Sequence, residues 1–163
     1  MQQTTTKIRA VAVVMHEGKI LLMHRMSGEK EYYVFPGGKV EQGETPELAV
    51  LREILEEASM EVVVDKLLYH LTYDSGEQQY FYLCNHVSGD PKLGEGNEME
   101  MMKTGAEHGA QSFNPVWHDA SQLKPLLLYP LEVKDLLIED MQTNYANCPC
   151  ELEFKLSDKR ESL

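Results

Sequence analysis

The chain of 163 residues is short of cysteines, short of cations and has no long apolar run, and each shortage excludes something. No stretch approaches the ~20 consecutive apolar residues that a membrane-spanning helix requires, so no membrane partner is expected. The opening residues, MQQTTTKIRA, carry no apolar h-region, so neither a secretory signal nor a transit peptide is read and a cytoplasmic location is expected. Three cysteines, Cys84, Cys148 and Cys150, form an odd set, and the CPC spacing is tighter than the gap of structural zinc pairs. They are read as reduced bystander thiols. Lysines and arginines number 15 against 27 acidic residues, a formal charge of -12. Generic nucleic-acid binding rests on a basic footprint that displaces counterions, and this composition argues against it. A small polyanionic substrate would need metal ions to bind here.

What is present suits one globular domain: 42% apolar and 26% charged residues, in a chain long enough for one core to bury roughly 70% of its unfolded surface. Two β-rich runs, Ile8 to Met15 and Lys19 to Met26, flank a turn containing Glu17-Gly18 and predict a hairpin. YYVFPGG predicts a brief aromatic strand that ends in Pro36-Gly37-Gly38, where the backbone turns and can approach a ligand closely. Thr45 and Pro46 then have the chemistry of an N-cap and a first helical position, for a helix running to about Ala58.

Beyond the helix, MEVVVDKLLYHLTY and QQYFYLCNHV, parted by DSGE, predict a second hairpin. The polar stretch from Ser88 to Gln111 is too long for an ordinary connection and is expected to be a mobile functional loop or disordered. SFNPVWHD predicts a closing strand and Leu131 to Met141 a second helix. The expected domain covers residues 1–145, with residues 146–163 as a charged and mobile C-terminal tail.

Within the first helix, LREILEEASM crowds Arg52, Glu53, Glu56 and Glu57 together. At about 100° per residue the three glutamates share one arc, while Leu48, Leu51, Ile54, Leu55 and Ala58 gather opposite, which predicts a core face and a carboxylate face. Glutamates three and four residues apart repel in a bare helix, and Arg52 offsets only part of this. A hard divalent cation such as Mg²⁺, which takes a few carboxylates together with waters and phosphates, would relieve it.

The longer frame is Gly38, five residues, Glu44, seven residues, then Arg52-Glu53-Ile54-Leu55-Glu56-Glu57, with apolar Met60. It resembles the Nudix box of Nudix hydrolases, Gly-x5-Glu-x7-Arg-Glu-U-x-Glu-Glu-x-Gly-U, where U is a bulky apolar residue. Six such matches would arise by chance in about one chain of this length in 10⁵ at average residue usage. The departure is Ser59, where the family has a glycine just past the helix; a serine with φ > 0 there costs ~1 kcal/mol.

The resemblance implies an α/β/α sandwich with a mixed β-sheet, and cleavage of a nucleoside diphosphate linked to another group by water attack on phosphorus with Mg²⁺ or Mn²⁺. Carried over, Glu53, Glu56 and Glu57 bind metal, with a backbone carbonyl of Gly37 or Gly38 as a further ligand. Arg52 orients the glutamates, and Glu44 gives structural or metal support. The general base comes from the box or from Glu95, Glu98 or Glu100 in the long loop. Arg25 and Lys39 are candidate phosphate contacts, whereas Tyr33, Tyr80, Tyr82 and Trp117 are read as core before base-stacking. The downstream marks of ADP-ribose and diadenosine polyphosphate enzymes fall on Ser75 and on Gly76 to Gln78, and neither is met. A nucleoside triphosphate or related derivative remains as small-molecule partner, and a homodimer stays open. The alternative is a nucleotide-sensing module, a role typical of Nudix folds that have lost box carboxylates; here all are intact.

Overall fold

The computed structural model describes residues 6–92 and 111–155. Its elements are β1 (Ile8–His16), β2 (Lys19–Ser27), β3 (Lys30–Val34), β4 (Gly37–Lys39), α1 (Pro46–Ala58), β5 (Glu61–Tyr73) and β6 (Gln78–Ser88). They continue with β7 (Gln111–Asp119), β8 (Leu128–Tyr129), α2 (Leu131–Gln142) and β9 (Cys150–Phe154). Among the described residues the strands form one mixed sheet in the order β8-β3-β2-β1-β6-β5-β9, with β4 also on β1 and β7 also on β2. No helix among them is long and apolar enough to cross a membrane.

The β1–β2 hairpin turns through Glu17 (φ 48°) and Gly18 (φ 74°), the paired positive angles of a type I′ turn. Its strands pair only at Met15–Ile20 and His16–Lys19 and then part. From there β2 pairs with β3 and β7, while β1 pairs with β4 and, in parallel, with β6. The sheet is therefore split on one side, and the split opens the cavity described below.

A helix covers each face. Ala10, Ala12 and Val14 of β1 pack with Ala49, Val50, Ile54 and Ala58 of α1. Val11 and Val13 point the other way, into a core shared with Phe81, Leu71, and Val133 and Leu137 of α2. Because both faces of β1 are covered, AVAVV is unbroken and apolar where a half-exposed strand would alternate. The α/β/α sandwich is the architecture expected.

Helix α1 is turned relative to its expected orientation. Leu48 and Leu55 are 54% and 55% exposed and Leu51 is 37% exposed, while Glu57 is buried at 3%. Of the predicted core face only Ile54 and Ala58 are buried; Ala49 and Val50 complete it. The physical reason is that Glu53 and Glu57 must face β4, and drawing that side inward leaves the leucines outside.

The C-terminal expectation is also corrected. Residues 150–154, assigned to the 146–163 tail, form β9, parallel to β5 from Tyr69–Cys150 to Tyr73–Phe154. Cys150, Leu152 and Phe154 pack against the core, and the intervening glutamates face out. This period-two pattern covers a sheet edge that would otherwise be unpaired. Glu95, Glu98 and Glu100 lie outside the described residues.

Helix α1 begins as expected, with Thr45 Oγ1 accepting the Leu48 N–H at 3.3 Å and Pro46 following the cap. At its other end Ser59 adopts φ 55° and ψ 36°, with its N–H donating to the Leu55 carbonyl at 3.1 Å. A serine held in this left-handed region is strained. Ser59→Gly is expected to raise stability by about 0.5–1 kcal/mol, the relief outweighing the extra freedom of the unfolded chain. Urea melts should show a higher midpoint at unchanged slope; a lower midpoint would mean that the strain is compensated locally.

Candidate active site

Phe35 and Pro36 carry the chain from β3, on the β2 side of the split, to β4 on the β1 side. The crossing is fixed by the Ala12 N–H donating to the Pro36 carbonyl at 2.8 Å and the Val40 N–H donating to the Ile8 carbonyl at 2.9 Å. The two glycines that follow admit no side chain. A Cβ on Gly37 would strike the Ala10 carbonyl oxygen and the Val11 Cα, and one on Gly38 would occupy the place of the Glu53 carboxylate. The predicted sharp turn is thus completed by a short strand, over which the carboxylates of α1 come down onto bare backbone. Glu57 accepts the Gly37 N–H at 3.2 Å.

Arg52 organises the remaining acids. Its Nε and Nη2 donate to the two carboxylate oxygens of Glu44 at 2.8 and 3.0 Å, a bidentate fork. Nη1 donates to Glu53 at 2.9 Å and to Glu56 at 3.2 Å, and Nη2 also to the Lys39 carbonyl at 2.9 Å. These bonds match the five N–H donors a guanidinium owns. Glu44 in turn accepts the Glu41 N–H at 3.1 Å, closing the loop that leads into α1. The side chains of Arg52 and Glu44 are 24% and 16% exposed, so the pair is only partly screened by solvent. Hydrogen bonding from Arg52 holds the Glu44 carboxyl below its ordinary value of 4.5, and Glu44 reciprocally strengthens the hold of Arg52 on its proton.

Arg52, Glu53, Glu56 and Glu57 line one wall of a cavity of about 860 Å³, together with Gly37 and Gly38. Lys7, Arg9, Arg25 and Lys39 line it too, which gathers cations around one cavity in a chain of net charge -12. With Arg52 these cations balance the five glutamates of the lining, Glu41, Glu53, Glu56, Glu57 and Glu77, so the cavity is locally neutral within an acidic chain and suits an anionic ligand better than the acidic chain as a whole. The Arg25 guanidinium lies 4.5 Å from the centre of the Phe113 ring, and Lys39 is the register partner of Arg9.

The candidates Gly37, Gly38, Lys39, Glu44, Arg52, Glu53, Glu56, Glu57 and Arg25 are therefore brought together. Tyr33, Tyr80, Tyr82 and Trp117 are not part of the cavity wall; its aromatic surface comes from Phe35, Tyr73, Phe81 and Tyr129. Sequence reasoning missed Lys7, Arg9, Glu77 and Gln79, which also line it. Arg9 left a signal: it alternates with Val11 and Val13 on the inner face of β1, where a charge is out of place.

The chemistry of this donor set fits a hard divalent cation. Among the described residues no three carboxylate, imidazole or thiol groups converge into a ready cage. Instead Arg52 holds Glu53 and Glu56 while Glu57 rests on Gly37. Mg²⁺ demands no cage, since it is usually held by one or two carboxylates, with waters and substrate phosphates completing the shell.

Residues 6–132 match the family model of the NUDIX domain. The chain belongs to the Nudix family. An 8-oxo-dGTP diphosphatase of Escherichia coli (strain K12) is 32% identical over 99 residues, covering 57% of this chain and 77% of that protein. An oxidized purine nucleoside triphosphate hydrolase of Mus musculus is 30% identical over 132 residues, covering 77% of this chain and 81% of that one. A NUDIX hydrolase of Nitrosomonas europaea superposes with a TM-score of 0.67 at 16% identity, covering 94% of this chain and 80% of that one. The superposition bears on the fold and agrees with the sandwich; the family membership makes the chain a Nudix hydrolase.

The Arg52–Glu44 fork gives this Nudix domain a defined pH signature. A carboxyl whose folded pKa is depressed stabilises the fold above its unfolded value and loses that contribution as pH falls through the lower folded value. Glu44→Gln is expected to lower stability by about 1 kcal/mol at pH 7. The gap to wild type should begin to close as pH falls past 4.5 and vanish below the folded pKa. Thermal melts of both proteins from pH 7 to pH 3 provide the measurement, and a gap constant with pH would show that the fork carries no charge-linked stability.

Proposed function

We propose that this Nudix hydrolase cleaves a phosphoanhydride bond in a nucleoside triphosphate or related nucleotide derivative, by attack of water on phosphorus with Mg²⁺ or Mn²⁺. The observation that carries this reading is the meeting, on one cavity wall, of the Arg52-ordered glutamates with the side-chain-free Gly37-Gly38 backbone. The two relatives named above support it, since both are named for action on oxidised purine nucleotides.

Glu53, Glu56 and Glu57, with a carbonyl of Gly37 or Gly38, would hold the cation, which when bound polarises phosphoryl oxygens and lowers the pKa of water. Arg52, itself held by Glu44, keeps Glu53 and Glu56 in place and the Gly37 N–H keeps Glu57 before substrate arrives, so little reorganisation is left for the reaction itself. Arg25 and Lys39 neutralise phosphate charge from the cavity wall. The aromatic surface of Phe35, Phe81 and Tyr129 gives the rest of the nucleotide an apolar wall. A purely sensing role is disfavoured by the intact carboxylate set, for which binding alone has no need.

A screen of nucleoside triphosphates, oxidised purine nucleotides and nucleoside diphosphate derivatives for phosphate or pyrophosphate release tests the proposal. Activity is expected with Mg²⁺ or Mn²⁺ and should disappear with a chelator. Glu53→Gln and Glu57→Gln are each expected to lower kcat by at least ~10², about 2.7 kcal/mol of barrier, with the thermal midpoint nearly unchanged. Turnover near wild type in both variants at saturating metal would remove the box from the reaction. Nucleotide binding without turnover of any substrate would favour the sensor.

A further inference from the structure

Three rings gather at the end of the sheet away from the cavity. On β1 the face turned to α1 runs Ala10, Ala12, Val14 and then His16, and on β6 it runs Tyr82, Cys84 and then His86. The two histidines stand one step beyond the Met15–Asn85 pair of the parallel ladder, side by side on adjacent strands. Their ring centres are 4.5 Å apart, and Trp117 of β7 lies 5.8 Å from His16 and 5.7 Å from His86. Strand spacing puts His16 roughly 17 Å along β1 from Val11, the partner of Gly37, so the rings are remote from the carboxylates of α1. Packing alone would continue the apolar series on both strands. Two imidazoles this close repel each other once both are protonated, so charge is no reason to join them, whereas a shared cation is.

We propose that His16 and His86 form a second metal site, a two-imidazole seat for a divalent transition ion such as Zn²⁺, Ni²⁺ or Cu²⁺, walled by Trp117. His86 is already set as a ligand. Its Nε2 meets the Gly89 carbonyl at 2.7 Å, and a carbonyl oxygen only accepts, so Nε2 carries the proton and the lone pair of the neutral ring sits on Nδ1. A backbone carbonyl behind the outer nitrogen is the usual support of a metal-binding imidazole. That carbonyl is itself fixed, because Gly89 packs so closely on the Ser59 carbonyl oxygen and Met60 that a Cβ there would strike them. The His16 side chain is 41% exposed, so its ring can turn a nitrogen toward the shared space, and Glu17 adds negative charge 3.7 Å from its Nε2. An ion bound about 2.0–2.1 Å from a ring nitrogen lies roughly 3.2 Å from that ring's centre. Two rings with centres 4.5 Å apart can therefore share one ion at an angle of about 90°. Among the described residues no three carboxylate, imidazole or thiol groups converge, so the chain supplies two ligands and water the rest. Such a seat favours ions late in the first-row series that suit imidazole, and it discriminates against Mg²⁺, which takes oxygen ligands. The two sites thus divide by softness: carboxylates for the hard ion, imidazoles for the borderline one.

Trp117 is the single tryptophan of the chain and lies against both rings, so its fluorescence reports on this place. The test titrates Ni²⁺, a quencher of nearby indoles, into the full chain with Mg²⁺ in excess to compete at the carboxylates. Wild type is expected to show saturable quenching that reaches its plateau at one ion per chain. His16→Gln and His86→Gln should each weaken Ni²⁺ binding at least ~10-fold, with circular dichroism spectra like that of wild type. Should His86→Gln fail to fold because the Gly89 contact is lost, His16→Gln, at a side chain 41% exposed, carries the test by itself. Absence of saturable quenching in wild type, or wild-type Ni²⁺ affinity in a folded variant, overturns the assignment. So does quenching that excess Mg²⁺ abolishes. The readout does not depend on turnover: Ni²⁺ binding through these rings in a protein that hydrolyses no nucleotide would sustain this site while the function proposed above falls.

Discussion

Arg52 joins three parts of the chain through a single side chain. One guanidinium bonds the Lys39 carbonyl at the end of β4, the Glu44 carboxylate in the connecting loop, and Glu53 and Glu56 on α1. The planar fork fixes direction as well as distance, which an ammonium on a flexible stem could not do. It also lowers the repulsion among glutamates packed one turn apart. The site therefore exists as an ordered structure before any ligand enters, with Arg52 standing in part for the positive charge that the glutamates attract.

That constraint prevails over simple burial. Burying a leucine side chain is worth roughly 1.5–3 kcal/mol, and α1 leaves Leu48, Leu51 and Leu55 substantially exposed. The same rotation takes Glu57 to 3% exposure against the Gly37 N–H. A helix free to minimise its own exposed apolar area would turn the leucines toward Ala10 and Ala12. The sandwich tolerates the loss because Ala49, Val50, Ile54 and Ala58 still fill the narrow space above the small residues of β1. Geometry at the glycines decides which face of α1 is inside, and hydrophobicity fills what is left.

Much of this was legible in the sequence because it is local. The Glu17-Gly18 turn, the Thr45-Pro46 start of α1 and the left-handed position of Ser59 each follow from a few neighbouring residues. The Gly38-to-Met60 frame carried the site for the same reason. The orientation of α1 was hidden because a helical wheel counts apolar residues and cannot see a strand of glycines claiming the acidic side. Strand β9 was hidden because its outward glutamates, Glu151 and Glu153, share the charge of the segment around them, and its pairing with β5 is non-local. Lys7, Arg9, Glu77 and Gln79 meet only through the parallel β1–β6 pairing, which no single stretch of chain encodes.

The split between β1 and β2 is the last step that links these features. A hairpin that zipped along its full length would close the space in which the cavity lies, yet these strands pair at two positions only. Each then finds other partners: β4 and β6 complete the ladder of β1, and β3 and β7 that of β2, so separation leaves no long run of backbone donors unpaired. The segment that bridges the gap, Phe35-Pro36-Gly37-Gly38, is the one that must also admit carboxylates from α1. Proline removes a donor where the chain changes partners, and the glycines remove side chains where helix and strand approach. The sequence element that makes the split sheet possible is thus the floor of the candidate site, and a change there would disturb fold and site together.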